Sequence, residues 1–145
     1  MKYRLPLVIH IRNAELDGLK VLGDVGVPDD YPIHRHCFTG TIEEAKVWTS
    51  RYSKCKLGFT GLVTYSHATQ IHKVVKFLDM DRILCETDAP YFVPEGAKKN
   101  VMNCSFPGQV IHVAAKIADL KKLPVQAVLI ANVNNASTIY HRYFI

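Results

Sequence analysis

Four times along the chain a short apolar run is followed by an amphipathic segment, and this alternation restricts the fold more than any other feature. The runs are Leu7 to Ile11, Ile33 to Phe38, Lys56 to Thr60 and Arg82 to Thr87. Each is strand-sized and bounded by turn-forming or capping residues. A strand followed by a helix, repeated, returns every strand in the same direction, so the expected fold is α/β with one parallel sheet. Short strands that are apolar throughout fit a sheet covered on both faces. Four such units make either a small open sheet or half of an eight-stranded barrel, and the pattern alone leaves both open.

The helical segments carry their own start signals. Asn13 can cap the first, with Glu15 and Asp17 in its opening turn and Leu16, Leu19 and Leu22 on one face. Thr41 and Glu44 form a capping-box pair ahead of the face Ile42, Ala45, Trp48 and Tyr52. Ser66 can cap a helix with Ile71, Val74, Val75 and Leu78 inward. Pro107 suits the first position of a helix lined by Val110, Val113, Ala114 and Ile117. Pro124 opens the last, which carries Val125, Val128, Leu129, Ala136 and Ile139. With no repeat or linker, residues 1–145 read as a single domain.

Composition narrows the function classes. An apolar fraction of 48% and a charged fraction of 21% are those of a folded chain. No stretch approaches the roughly 20 apolar residues of a membrane-spanning helix, so no membrane partner is expected. Cys37, Cys55, Cys85 and Cys104 include no C-x-x-C pair, which argues against a structural zinc site. They read as reduced thiols, placing the protein inside the cell, in cytoplasm or nucleus. The net charge of +5 is a mild excess, dispersed apart from pairs such as Lys98-Lys99, and does not decide for or against nucleic acid.

The chemistry-bearing residues fall at corresponding places. His10 ends the first strand run with Arg12 just beyond it, His36 is near the end of the second, and Asp88 follows the fourth. C-terminal strand ends of a parallel sheet share one rim, where ligands bind. Taken singly, each residue is more often a structural histidine or a turn-forming aspartate. Together they form a mixture of imidazole and carboxylate suited to a divalent ion. The two-residue strand period puts His34 one layer beneath His36 and Glu86 one layer beneath Asp88. Glu86 can orient a ligand or a water, or be a buried carboxylate paired with a nearby cation or imidazole. His67, His72, His112 and His141 receive no role.

Several blocks stand out along the chain: Leu5-Pro6-Leu7-Val8-Ile9-His10 with Arg12 and Ala14, then His36-Cys37-Phe38-Thr39-Gly40. Gly58-Phe59-Thr60-Gly61, Glu86-Thr87-Asp88-Ala89-Pro90-Tyr91 and the ending Asn135-x-x-x-Ile139-Tyr140 follow in register. Together they resemble the TatD-type DNase family of amidohydrolase-like metal-dependent hydrolases. The resemblance implies strands five to eight of a TIM-type (β/α)8 barrel, a divalent-metal-dependent phosphodiester hydrolase, and DNA or RNA as substrate. It implies that His10 and His36 bind one ion and that Asp88 serves a second, as metal ligand and catalytic residue, the ions being Mg, Mn or Zn. Arg12 would contact a substrate phosphate or make a structural ion pair.

Departures from the family pattern also matter. Its H-x-H pair and bridging glutamate belong to strands with no counterpart here, and Ser105-Phe106-Pro107 stands where the family has Asn-Glu-Pro. The expectation is an N-terminally incomplete hydrolase domain, impaired or inactive by itself, that self-associates or pairs with a missing half. The alternatives are a non-catalytic nucleic-acid or protein interaction module on a remnant barrel, and a hydrolase of amide or ester substrates.

Overall fold

The computed structural model describes residues 5–97 and 103–140. Four strands, β1 (Leu7–Ile9), β2 (Ile33–Arg35), β3 (Cys55–Phe59) and β4 (Ile83–Cys85), form one sheet in the order β1-β2-β3-β4. Every pairing is parallel, as the alternation requires. Helices α1 (Glu15–Asp24), α2 (Ile42–Arg51), α3 (Thr69–Phe77), α4 (Val110–Lys121) and α5 (Val125–Tyr140) complete the fold. Lys98, Lys99 and His141 lie outside the described residues.

One sheet face and the helices enclose the core. Ile33, Leu57, Phe59 and Ile83 pack there with Ala45, Trp48, Val74, Val113, Ile117 and Val128 in a single apolar cluster. The sequence faces of α2, α3 and α4 therefore point where periodicity put them. On α1 the expectation holds only in part: Leu19 and Leu22 pack against the core, whereas Leu16 is 80% exposed.

Three of the four strands are shorter than their apolar runs, and β3 matches its run in length. Asn13, Cys37 and Asp88 adopt left-handed backbone with φ of 56°, 48° and 56°, and a left-handed residue ends the extended repeat. Ladder bonds still reach past the strand ends: His36 N–H donates to the Ile9 carbonyl and Glu86 N–H to that of Phe59. The rim residues are thus tied to the sheet although they lie beyond its strands.

Two expected caps are corrected. Asn13 cannot cap α1, because a capping residue needs extended backbone; Ala14 takes the N-cap position without a side-chain bond. Ser66 does not cap α3. The segment Gly61–Thr64 forms a 3-10 turn capped by Thr60, and Ala68 precedes α3 without a cap bond. The Thr41–Glu44 box forms as expected, and Pro107 opens a 3-10 turn that leads into α4.

The β4 margin away from β3 is sealed by side chains. Cys85 N–H donates to Asn132 Oδ1 at 2.7 Å. Asn135 Nδ2 donates to the Ile83 carbonyl at 2.8 Å and to that of Met80 at 2.7 Å. Amides of α5 thereby satisfy backbone groups on this margin, so a further strand would pair here only by displacing them. Replacing buried Asn135 with Ala should lower unfolding free energy by about 1–3 kcal/mol through the stranded carbonyls. Urea denaturation checks this, with Asn134→Ala on the exposed face as the control expected within about 0.5 kcal/mol of wild type.

Candidate metal centre

The sheet face opposite the core aligns Val8 with His34 and His34 with Lys56, while Gly58 pairs with Leu84. One layer above, His36 and Glu86 continue the same face toward the C-terminal rim. Gly58 supplies the space between them. A Cβ on this glycine would stand 2.3 Å from Glu86 Oε1 and 2.5 Å from His34 Nε2.

Glu86 is the hub of the cluster. Its Oε1 accepts the Cys37 N–H at 2.6 Å, and its Oε2 lies 2.7 Å from His36 Nδ1. His34 Nε2 also faces Oε2 at 3.1 Å, but the angle makes no hydrogen bond. Burial alone would raise the Glu86 pKa. The adjoining His34 and His36 imidazoles and the Cys37 N–H outweigh it and hold the carboxyl below its usual range.

The far nitrogen of each ring has its own partner. His34 Nδ1 lies 2.7 Å from Tyr140 Oη, and His36 Nε2 lies 3.2 Å from Asp88 Oδ1. Among the described residues, His34, His36 and Glu86 form a group whose potential metal-ligand atoms all lie within 4.8 Å of one another.

The residues singled out from sequence separate into two groups. His36, Glu86 and Asp88 meet in one hydrogen-bonded set, and the His10 ring lies 5.6 Å from that of His36, centroid to centroid. Arg12 is exposed and lines, with His10, Ile11, Cys37, Thr39, Leu62 and Phe92, a cleft of about 300 Å³ beside the rim. His34 was placed beneath His36 by the strand period but given no role; its spacing of two from His36 was the available signal. Cys37 borders the cleft as a protonated thiol, since burial pushes it up to about 11.

A second buried group holds the rim from the core side. Arg35, 1% exposed, donates to Glu15 Oε1 at 2.5 Å, to the carbonyl of Ile11 at 2.5 Å and to that of His36 at 2.9 Å. It also reaches the Ile9 carbonyl at 3.3 Å, while Trp48 Nε1 donates to Glu15 Oε2 at 2.6 Å. The carbonyls it binds flank His10 and belong to His36. One guanidinium therefore ties the two histidine-bearing loops together. Neither Arg35 nor Glu15 carried a sequence signal beyond an arginine within a strand run and an acid in a first helical turn.

Comparison with known proteins adds an independent line. A family model described as TatD related DNase matches residues 1–141. The human 3'-5' RNA nuclease TATDN2 is 38% identical over 135 residues, which are 93% of this chain and 18% of that protein. YabD of Bacillus subtilis, described as a metal-dependent hydrolase, is 33% identical over 138 residues, 94% of this chain and 51% of YabD. The crystal structure of YjjV, a TatD homologue from Escherichia coli K12, superposes with a TM-score of 0.81 at 26% identity, covering 97% of this chain and 51% of that one. A TatD family hydrolase of Entamoeba histolytica gives 0.81 at 22% identity and bears on the fold alone. The chain thus spans about half the length of most of these relatives, and less of the human one.

The Arg35–Glu15 pair generates a stability test. Arg35→Met alone leaves a buried carboxylate without its cation and should cost about 3–5 kcal/mol. Adding Glu15→Gln removes that charge while keeping an acceptor for Trp48, and should recover most of the loss. Chemical denaturation of the single and double variants checks this; equal losses would contradict it.

Proposed function

Since the chain belongs to the TatD related DNase family, we propose that it forms the second half, strands five to eight, of a TIM-type (β/α)8 barrel whose rim serves metal-dependent hydrolysis of nucleic-acid phosphodiesters. The observation that carries this reading is the seating of His36 between Glu86 and Asp88, with His10 beside it, at the C-terminal strand ends.

The donor set suits a divalent ion. Imidazole nitrogen and carboxylate oxygen converge there, and either Mg, Mn or Zn accepts some part of that mixture. His10 and His36 would hold one ion and Asp88 would serve a second. Bound ions supply Lewis-acid charge to phosphoryl oxygens and lower the pKa of water. With Nδ1–H donated to Glu86, His36 would keep its Nε2 lone pair at the rim for an ion. Asp88 Oδ1 would hold the attacking water and accept its proton. Arg12, exposed on the neighbouring cleft, would receive a substrate phosphate through its planar fork. DNA and RNA both fit this chemistry, and the RNA nuclease activity in the name of the human relative makes RNA a substrate to test.

The incompleteness expected from sequence remains part of the proposal. Val8, on the inward face, is 57% exposed, as fits a strand face awaiting cover. Further metal ligands would come from another barrel half, in the same polypeptide, a second copy or a separate chain. Alone, the 145 residues should turn over slowly, because three ligands cannot fix two ions.

The test is hydrolysis of end-labelled DNA and RNA oligonucleotides with Mn, Mg or Zn, at high protein concentration. Slow, chelator-sensitive cleavage is expected, reduced about 10²–10⁴-fold by Asp88→Asn. Cleavage unchanged by Asp88→Asn contradicts the reading. Oligonucleotide binding without cleavage under any of these metals would favour a non-catalytic interaction module instead.

A further inference from the structure

We propose that this chain contains a divalent-cation site one layer beneath the rim, built from His34 Nε2, His36 Nδ1 and the Glu86 carboxylate. It shares His36 with the His10–His36–Asp88 set but takes its other two protein ligands, His34 and Glu86, from outside that set. It does not depend on the hydrolase reading.

Three observations converge. His34 is 8% exposed, and its Nε2 makes no hydrogen bond although Glu86 Oε2 lies only 3.1 Å away. A buried nitrogen lone pair facing a carboxylate needs a proton or a metal ion between them. Second, each imidazole has an outer partner on its other nitrogen: Tyr140 Oη at 2.7 Å from His34 Nδ1, and Asp88 Oδ1 at 3.2 Å from His36 Nε2. Such outer contacts fix the tautomer that presents the inner nitrogen to a metal. Third, Gly58 leaves the floor clear where any side chain would strike both His34 and Glu86.

The dimensions are close to those of a small cation. Tetrahedral bonds of about 2.0–2.1 Å place ligand atoms about 3.3 Å apart. The present separations from Oε2 are 2.7 Å to His36 Nδ1 and 3.1 Å to His34 Nε2, and all three ligand atoms lie within 4.8 Å of one another, so the two carboxylate contacts need open by only tenths of an ångström. Two imidazoles and one carboxylate with a water suit Zn and metals of similar preference. A neutral imidazole has a single lone pair. His36 therefore serves either this site through Nδ1 or the rim through Nε2, and the tautomer is the switch between them.

The test is Co(II) binding to the full 145-residue chain, followed by visible absorption and by competition with Zn. The wild-type chain should bind one Co(II) with the intense bands of low coordination. His34→Gln should weaken binding by more than about tenfold, since losing even an outer-shell partner costs about 10–100-fold. His72→Gln, whose ring bonds the Val63 carbonyl away from the centre, should leave it within about threefold. Loss on His10→Gln with retention in His34→Gln overturns the proposal in favour of the rim set, and absence of binding by the wild type overturns it outright. Should His34→Gln fail to fold, the wild-type histidine ring ¹⁵N resonances give the answer. Zn should shift His34 Nε2 and His36 Nδ1 and spare His10; a shift at His10 without one at His34 overturns the proposal.

Discussion

A single buried carboxylate, Glu86, organises the upper layer of this sheet. It binds the Cys37 backbone with one oxygen and faces two imidazoles from β2 and its rim with the other. A carboxylate this enclosed survives only with such compensation, since desolvation works against its charge. The compensation comes from the strand two positions away in the sheet, reached across Gly58 of the strand between. Stability of the carboxylate and alignment of the histidines are therefore one interaction. Neither residue type could be exchanged for an apolar one without stranding the other.

The opposite side of the rim is fixed by a different charge pair. Arg35 and Glu15 lie on the core face, under Trp48, and the guanidinium draws in the carbonyls around His10 and His36. Glu86 sets which way the His36 ring points, and Arg35 sets where its backbone stands. The left-handed residues Asn13, Cys37 and Asp88 then let the chain leave the strands sharply, so that the loops begin at the site itself. A parallel sheet made of three- and five-residue strands can hold a defined rim because both faces are locked in this way.

How much of this was legible in the sequence depends on the range of each signal. The order of strands and helices followed from local periodicity, and the capping box at Thr41 and Glu44 from a four-residue pattern. His10, His36, Glu86 and Asp88 could be singled out because their places relative to strand ends are readable residue by residue. What escaped were relations between elements. That Asn13 is left-handed, and so no cap, belongs to the path of the β1–α1 loop, whose Ile11 carbonyl Arg35 binds. That Ser66 stands outside a helix follows from a 3-10 turn that Thr60 caps. His34 was seen at the right depth, yet the closeness of its Nε2 to Glu86 appears only once β2 and β4 are set around Gly58. The edge role of Asn132 and Asn135 depends on α5 lying along β4, which no local pattern encodes.

The account rests on Glu86 being ionised and held by its neighbours rather than neutral in an apolar setting. Site-specific ¹³C titration of its side-chain carboxyl in the metal-free chain measures this directly. The predicted result is a carboxyl that stays ionised through the range where an ordinary glutamate takes up its proton. A carboxyl that titrates at or above that ordinary value would mean that burial outweighs the imidazoles and the Cys37 N–H, and the centre described here would not exist as an ionic hub.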